Sequence, residues 1–167
     1  MKNEFYLSAE ALAAFLESAA QKGIALRFRA RGFSMSPFVR DGDILTVSAM
    51  TDRDPRKGDV LAFLCPRNGK LAIHRVVERA GNRYLMKGDS SYTADGLVAK
   101  EYVLGRVTRV ERNGRDVLLG LGRERVLVAF LSLNTALFPF LCAVRGGIKR
   151  LLKGKHGKQL YGENPSA

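Results

Sequence analysis

The chain has 167 residues, 46% of them hydrophobic and 26% charged, with a formal net charge of +12. That balance excludes a disordered chain and leaves room for one domain with a sizeable core and an appendage. Its two cysteines, Cys65 and Cys142, lie far apart inside apolar runs, which suits buried thiols and neither a disulfide framework nor a metal-ligand spacing.

The first ten residues, MKNEFYLSAE, carry acids where a targeting sequence would have a basic start and an apolar stretch. Residues 8–22 then read as a short helix. Ser8 can cap it, Glu10 suits its positive end, and Gly23 can stop it. Leu12, Phe15, Leu16 and Ala19 form the expected apolar stripe, packed on a domain.

From residue 25 to about 119 the pattern changes to short alternating runs. ALRFRAR, DILTVSA, DVLAFLC, LAIHRVVE, RYLMKG and YVLGRVTRVE all read as strands. They are separated by DG at 41–42, KG at 57–58, NG at 68–69, GN at 81–82 and NG at 113–114, several of them pairs that hairpins favour. The expected fold class is mainly β, a coiled antiparallel sheet or partial barrel.

Arg125 and Arg145 enclose nineteen uncharged residues, VLVAFLSLNTALFPFLCAV. As one helix they would reach about 28 Å, near the thickness of a bilayer core. Asn134 and Pro139 weaken a plain span and also permit a re-entrant or interfacial arrangement, or a helix covering the sheet. Residues 145–158 follow with six Lys or Arg and no acid, half of the charge excess. A basic tail beside an apolar segment suits an anionic membrane surface, so 126–158 is the expected membrane contact. No aromatic residue interleaves with these charges and no base-reading motif is visible, which disfavours nucleic acid. The divisions are therefore 1–24, an amphipathic helix; 25–119, a β domain; 120–148, an apolar helical segment; and 149–167, a basic tail.

Acid–base chemistry near neutral pH calls for histidine, and the chain has two. His156 lies in the basic tail. His74 lies within a strand, where a lone histidine is more often structural than catalytic. Upstream, Gly-Phe-Ser-Met-Ser-Pro at 32–37 follows one strand and precedes a turn. Gly32 and Pro37 place Ser34 at a sharp exit from the sheet, with backbone N–H groups close by. A serine hydroxyl is a weak nucleophile until a base takes its proton. In the turn-rich segment 87–95, Asp89 or Asp95 could hold the imidazole in the required tautomer, although either could equally organise a turn.

These blocks, in this order, resemble signal peptidase I of the endoplasmic-reticulum and archaeal type, over roughly residues 30–108. GFSMSP resembles the block that carries the nucleophile. RDGDILTV and RKGDVLAF resemble the two GD-containing strands, His74-Arg75-Val76 the block of the base, Lys87-Gly88-Asp89 and Asp95 the acidic block, and Gly105-Arg106-Val107 the closing strand. The resemblance implies the fold shared with LexA-like proteins, Ser34 as nucleophile, His74 as base, Asp95 ahead of Asp89 as the third member, and neither metal nor cofactor. Lysine-dependent relatives place a lysine where His74 stands; here the lysine of that strand, Lys70, sits at its beginning. The implied substrate is an extended segment of a precursor polypeptide, with small residues before the cleaved bond. The family's usual N-terminal anchor has no counterpart in residues 1–24, so a membrane association would rest on the C-terminal segment, with the side open. A self-processing domain and a catalytically silent binding module are the alternatives.

Overall fold

The computed structural model describes residues 8–50 and 53–133. Helix α1 (Ala9–Gln21) begins where expected: the Ser8 hydroxyl oxygen accepts the Ala11 N–H at 3.2 Å. Its buried face differs from the expected stripe. Ala13 and Leu16 are buried, Leu12 packs beside them, and Phe15 is 54% exposed. Each helical step turns about 100°, so the line 12, 13, 16 meets the sheet and Phe15 falls outside it. The small Ala13 side chain completes the contact in its place.

Eight strands form one open sheet: β1 (Leu26–Arg29), β2 (Ile44–Ser48), β3 (Val60–Leu64), β4 (Leu71–Ala80), β5 (Arg83–Lys87), β6 (Gly96–Ala99), β7 (Val103–Arg112) and β8 (Arg115–Asp116). The spatial order is β1-β2-β7-β3-β4-β5-β6, with β8 paired to β7, and every pairing is antiparallel. The fold class is therefore mainly β, as expected from the alternating runs. The β7–β8 hairpin shows why the turn residues matter: Asn113 and Gly114 both take positive φ, +51° and +73°, as a two-residue turn between twisted strands requires. Register shifts interrupt β2–β7, β3–β7 and β4–β5, the irregularities by which a sheet bends and coils.

Strand alternation divides the core into two clusters. Val60 and Ala62 of β3 join Leu45, Val47, Val107 and Val110 in one, which α1 covers through Ala13 and Leu16. Leu61 and Phe63 join Val76, Tyr84, Met86 and Val98 in the other. On β4 the pairing sets His74 opposite Leu61 and Arg75 opposite Val60, so these neighbours in sequence point to opposite faces.

Helix α2 (Arg125–Leu133) takes the first half of the expected apolar segment and packs on β4. It buries Val128, Ala129 and Ser132 and leaves Val126, Leu127, Phe130 and Leu133 exposed. The rest of that segment, the basic tail, Cys142 and His156 lie outside the described residues. Among the described residues, no helix is long and apolar enough to cross a membrane.

The α1 contact predicts a contrast between neighbours. Leu16→Ala should cost about 2–5 kcal/mol in denaturant unfolding, as a buried leucine truncation does. Phe15→Ala should stay within about 0.5 kcal/mol.

Candidate active site

The segment after β1 cannot continue as a strand. Met35, Pro37, Phe38 and Val39 are all buried, and they pull the chain down onto the core while Ser34 remains exposed. Local bonds hold the turn: the Ser36 N–H donates to Phe33 O at 3.0 Å, and the Val39 N–H to Met35 O at 3.0 Å. The following GD pair fixes its exit. Asp43 accepts the Arg40 N–H at 2.8 Å and is clamped by Arg112 from β7 through Nε and a second guanidinium nitrogen. Asp41 accepts the Gly32 N–H at 2.9 Å, closing the other end.

His74 enters from the first half of β4. Its Nε2 lies 2.9 Å from Ser34 Oγ, and its Nδ1 lies 2.6 Å from Asp95 Oδ2. An ionised carboxylate can only accept, so Asp95 assigns the proton to Nδ1 and leaves the Nε2 lone pair facing the Ser34 hydroxyl. Serine, histidine and aspartate thus form a hydrogen-bonded series, an arrangement able to take a proton from the hydroxyl as it attacks. The His74 and Asp95 side chains are 13% and 21% exposed, sheltered yet reachable. The Phe63 ring backs the imidazole at 6.1 Å between centroids.

The two aspartates separate. Asp89 does not meet the imidazole directly; it forms a bidentate pair with Arg75, Nε and Nη2 each at 2.7 Å, and both side chains are fully buried. Burial pushes the Asp89 carboxyl above its usual range, while Arg75, His74 and Lys87 pull it back. The other guanidinium nitrogen donates to Gly58 O at 2.8 Å and to Gly120 O at 2.7 Å, and the guanidinium carbon sits 5.6 Å from the centre of the Phe38 ring. Arg75 therefore joins the acidic loop, the β2–β3 loop, the approach to α2 and the turn after Ser34.

Neither lysine near β4 reaches Ser34 with its ammonium. Lys70 is exposed beside the Asn68–Gly69 turn. Lys87 is buried and donates to the carbonyl of Ser132 on α2, with Gly88 O at 3.5 Å. Burial lowers the Lys87 pKa, against the pull of Asp89 and Asp95. No group of three or more His, Cys, Asp or Glu positioned to hold a metal occurs among the described residues.

Two contributors were not singled out from sequence. Ser90 ties the acidic loop to the Ser34 turn, its N–H donating to Ser34 O at 2.8 Å and its hydroxyl to Phe33 O at 2.7 Å. Gly88 leaves the gap in which the series assembles. A Cβ there would lie 2.7 Å from Ser34 O and 3.1 Å from His74 Nε2, and would collide with Ser91 Oγ. The serines of KGDSS were visible, but nothing local marks which one reaches back 57 positions.

Beside Ser34 and His74 lies a mainly apolar cleft of about 340 Å³. Phe28 to Gly32 line one side and Leu71 to His74 the other, with Leu12, Met35 and Leu45 among the apolar residues between. Residues 71–74 pair with β3 on one edge, while the β5 pairing starts only at Arg75. That leaves strand edge facing the cleft.

The Arg75–Asp89 pair yields a prediction separate from any reaction. Asp89→Asn leaves a buried guanidinium without its charge partner and should cost about 3–5 kcal/mol in denaturant unfolding. Asp95→Asn, on a partly exposed carboxylate, should cost less than about 1.5 kcal/mol by the same measurement.

A comparison with curated proteins gives no match. A family model described as peptidase S24-like matches residues 4–108, a span that includes Ser34, His74, Asp89 and Asp95. The open antiparallel sheet with its N-terminal helix agrees with that match, and the chain belongs to the peptidase S24-like family, within the LexA and signal-peptidase superfamily and with a serine-peptidase type of fold.

Proposed function

We propose that the protein is a serine endopeptidase in which Ser34 attacks the scissile carbonyl and His74 takes the hydroxyl proton. The observation that carries this reading is the Ser34–His74–Asp95 series, with hydrogen bonds of 2.9 and 2.6 Å. In the first step, Ser34 Oγ bonds to the carbonyl carbon while its proton passes to Nε2. Asp95 keeps the ring oriented and favours the imidazolium that forms. The resulting oxyanion is held by backbone N–H groups of the turn, that of Ser34 among them. His74 then returns the proton to the leaving amine. Water, activated by the same nitrogen, releases the acyl group from Ser34.

The cleft supports an extended polypeptide as substrate. A segment lying between residues 28–32 and 71–74 would use the free edge at 71–74 for main-chain hydrogen bonds, with alternate side chains entering the apolar floor. Within the superfamily, we place the enzyme with the signal peptidase I relatives of the endoplasmic-reticulum and archaeal type. Histidine rather than lysine faces the serine; Asp89 of the KGD block holds Arg75, and Asp95, six residues on, holds His74. The precursor is proposed to be met at an anionic membrane surface through 126–158, a reading supported by the exposed apolar residues of α2.

Cleavage of membrane-presented precursor peptides by the full chain tests the assignment. Ser34→Ala and His74→Ala should each lower kcat by on the order of 10⁴–10⁶ with folding retained. Asp95→Asn should lower it by on the order of 10²–10⁴, and Lys70→Ala should leave it unchanged. Full activity in His74→Ala would transfer the role of base elsewhere. An intact chain that binds precursors and never cleaves them would make the domain a binding module. Gly88→Ala should lower kcat more than it raises KM, because its Cβ displaces Ser34 from His74 while leaving the cleft walls in place.

A further inference from the structure

On the part of the sheet around Asp59, away from Ser34, a second polar cluster is built from arginines. Asp59 is buried, and three guanidinium groups converge on it. Arg53 reaches both carboxylate oxygens at 3.2 and 3.1 Å, Arg106 Nε stands 3.2 Å away, and Arg125 Nε stands 3.5 Å away. The Arg56 backbone N–H also donates to Asp59 at 3.0 Å. Three cations on one carboxylate leave two positive charges uncompensated among the described residues.

This arrangement is costly unless something else is bound. Burial lowers the Arg106 pKa, Asp59 opposes that, and Arg53, Arg125 and Arg56 add to it by repulsion. Arg53 Nε and Arg106 Nε are buried without a hydrogen-bond acceptor; the Arg106 nitrogen is near Asp59 but lacks the geometry of a bond. Buried donors without acceptors are rare in folded proteins. The neighbouring glycine is what allows the crowding: a Cβ on Gly58 would lie 2.7 Å from Arg125 Cγ.

A cavity of about 230 Å³ opens among these arginines, with Thr108 on its wall and Val107 in its apolar lining. Arg125, the first residue of α2, lines the same cavity. We propose that this cavity binds a phosphoryl group, either of a phospholipid headgroup or of free phosphate. Planar guanidinium forks approaching from three sides suit a tetrahedral oxyanion, and a dianion would balance the two uncompensated charges. Asp59 holds the arginines together in its absence. The site does not depend on the peptidase reading.

Calorimetric titration of the full chain with inorganic phosphate tests the proposal, together with thermal unfolding in phosphate against chloride at matched ionic strength. Expected are saturable binding at one site and a rise in midpoint that chloride does not reproduce. Arg125→Gln should weaken phosphate by about tenfold or more, and Arg67→Gln, in the exposed β3–β4 turn, should leave the affinity unchanged. If Arg125→Gln fails to fold, Arg53→Lys serves in its place, since it keeps the charge and loses the planar fork.

Vesicles of phosphatidylcholine with phosphatidylglycerol then separate the sources. Binding that phosphate competes away and Arg125→Gln weakens assigns the lipid headgroup. Vesicle binding indifferent to both, with phosphate affinity retained in solution, assigns the free ion. Equal midpoints in phosphate and chloride, or unchanged phosphate affinity in a folded Arg125→Gln variant, would overturn the site.

Discussion

The buried Arg75–Asp89 ion pair is the constraint on which the placement of the other parts depends. A guanidinium with no exposed surface needs a charge partner and acceptors for its remaining donors, and it finds them in three different segments. Asp89 pins the acidic loop, Gly58 O pins the loop between β2 and β3, and Gly120 O pins the chain as it approaches α2. Phe38, against the guanidinium face, brings in the turn that carries Ser34. A fully apolar core of similar volume can be as stable or more so, but it would not fix the first three of these segments to one another with hydrogen-bond geometry.

The division between the two aspartates follows from the pleat of β4. Adjacent residues on a strand face opposite ways, so His74 and Arg75 need partners on opposite faces. The loop from Gly88 to Asp95 lies at the end of β5, alongside β4, and supplies one carboxylate to each. The one given to Arg75 is buried and structural in its consequences. The one given to His74 keeps 21% exposure. Ser90, between them, ties the same loop to the Ser34 turn, so the orientation of the imidazole and the position of the hydroxyl are set together.

Much of this was legible in the sequence, for identifiable reasons. Runs such as LRFR and ILTVS alternate, VLAFL is continuously apolar as a central strand buried on both faces is, and Gly-containing turns punctuate most of them, so β1 to β5 and β7 could be read from pattern and punctuation. Strand β6, GLVA, is too short to show a period, and it exists because Tyr84 and Leu85 pair with it from β5. Residue size puts Phe15 in the apolar stripe of α1, whereas the close approach of helix to sheet takes Ala13 and leaves Phe15 outside. Ser34 and His74 could be singled out by chemistry and by the resemblance of their blocks. Asp89 and Asp95 could not be separated by residue type or local turn chemistry; the distinction is made by which face of β4 each one reaches. Gly88 and Ser90 act across 40 or more positions of sequence, or through space that only a missing side chain leaves open.

The C-terminal side of the domain is tied to the same framework. Lys87 pairs across the strands with Arg75 and reaches the Ser132 carbonyl in the last turn of α2, a favourable place for a cation. Burial works against that charge, so the contact holds only while α2 keeps its carbonyl in place. The first residue of α2, Arg125, is meanwhile drawn to Asp59 at the arginine cluster. One short helix is therefore held at its start by the proposed phosphoryl site and near its end by a lysine whose next residue, Gly88, borders the Ser34–His74 contact. Its inward side is small (Val128, Ala129 and Ser132), its outward side large and apolar, and neither end can shift without disturbing an ion pair or a buried ammonium.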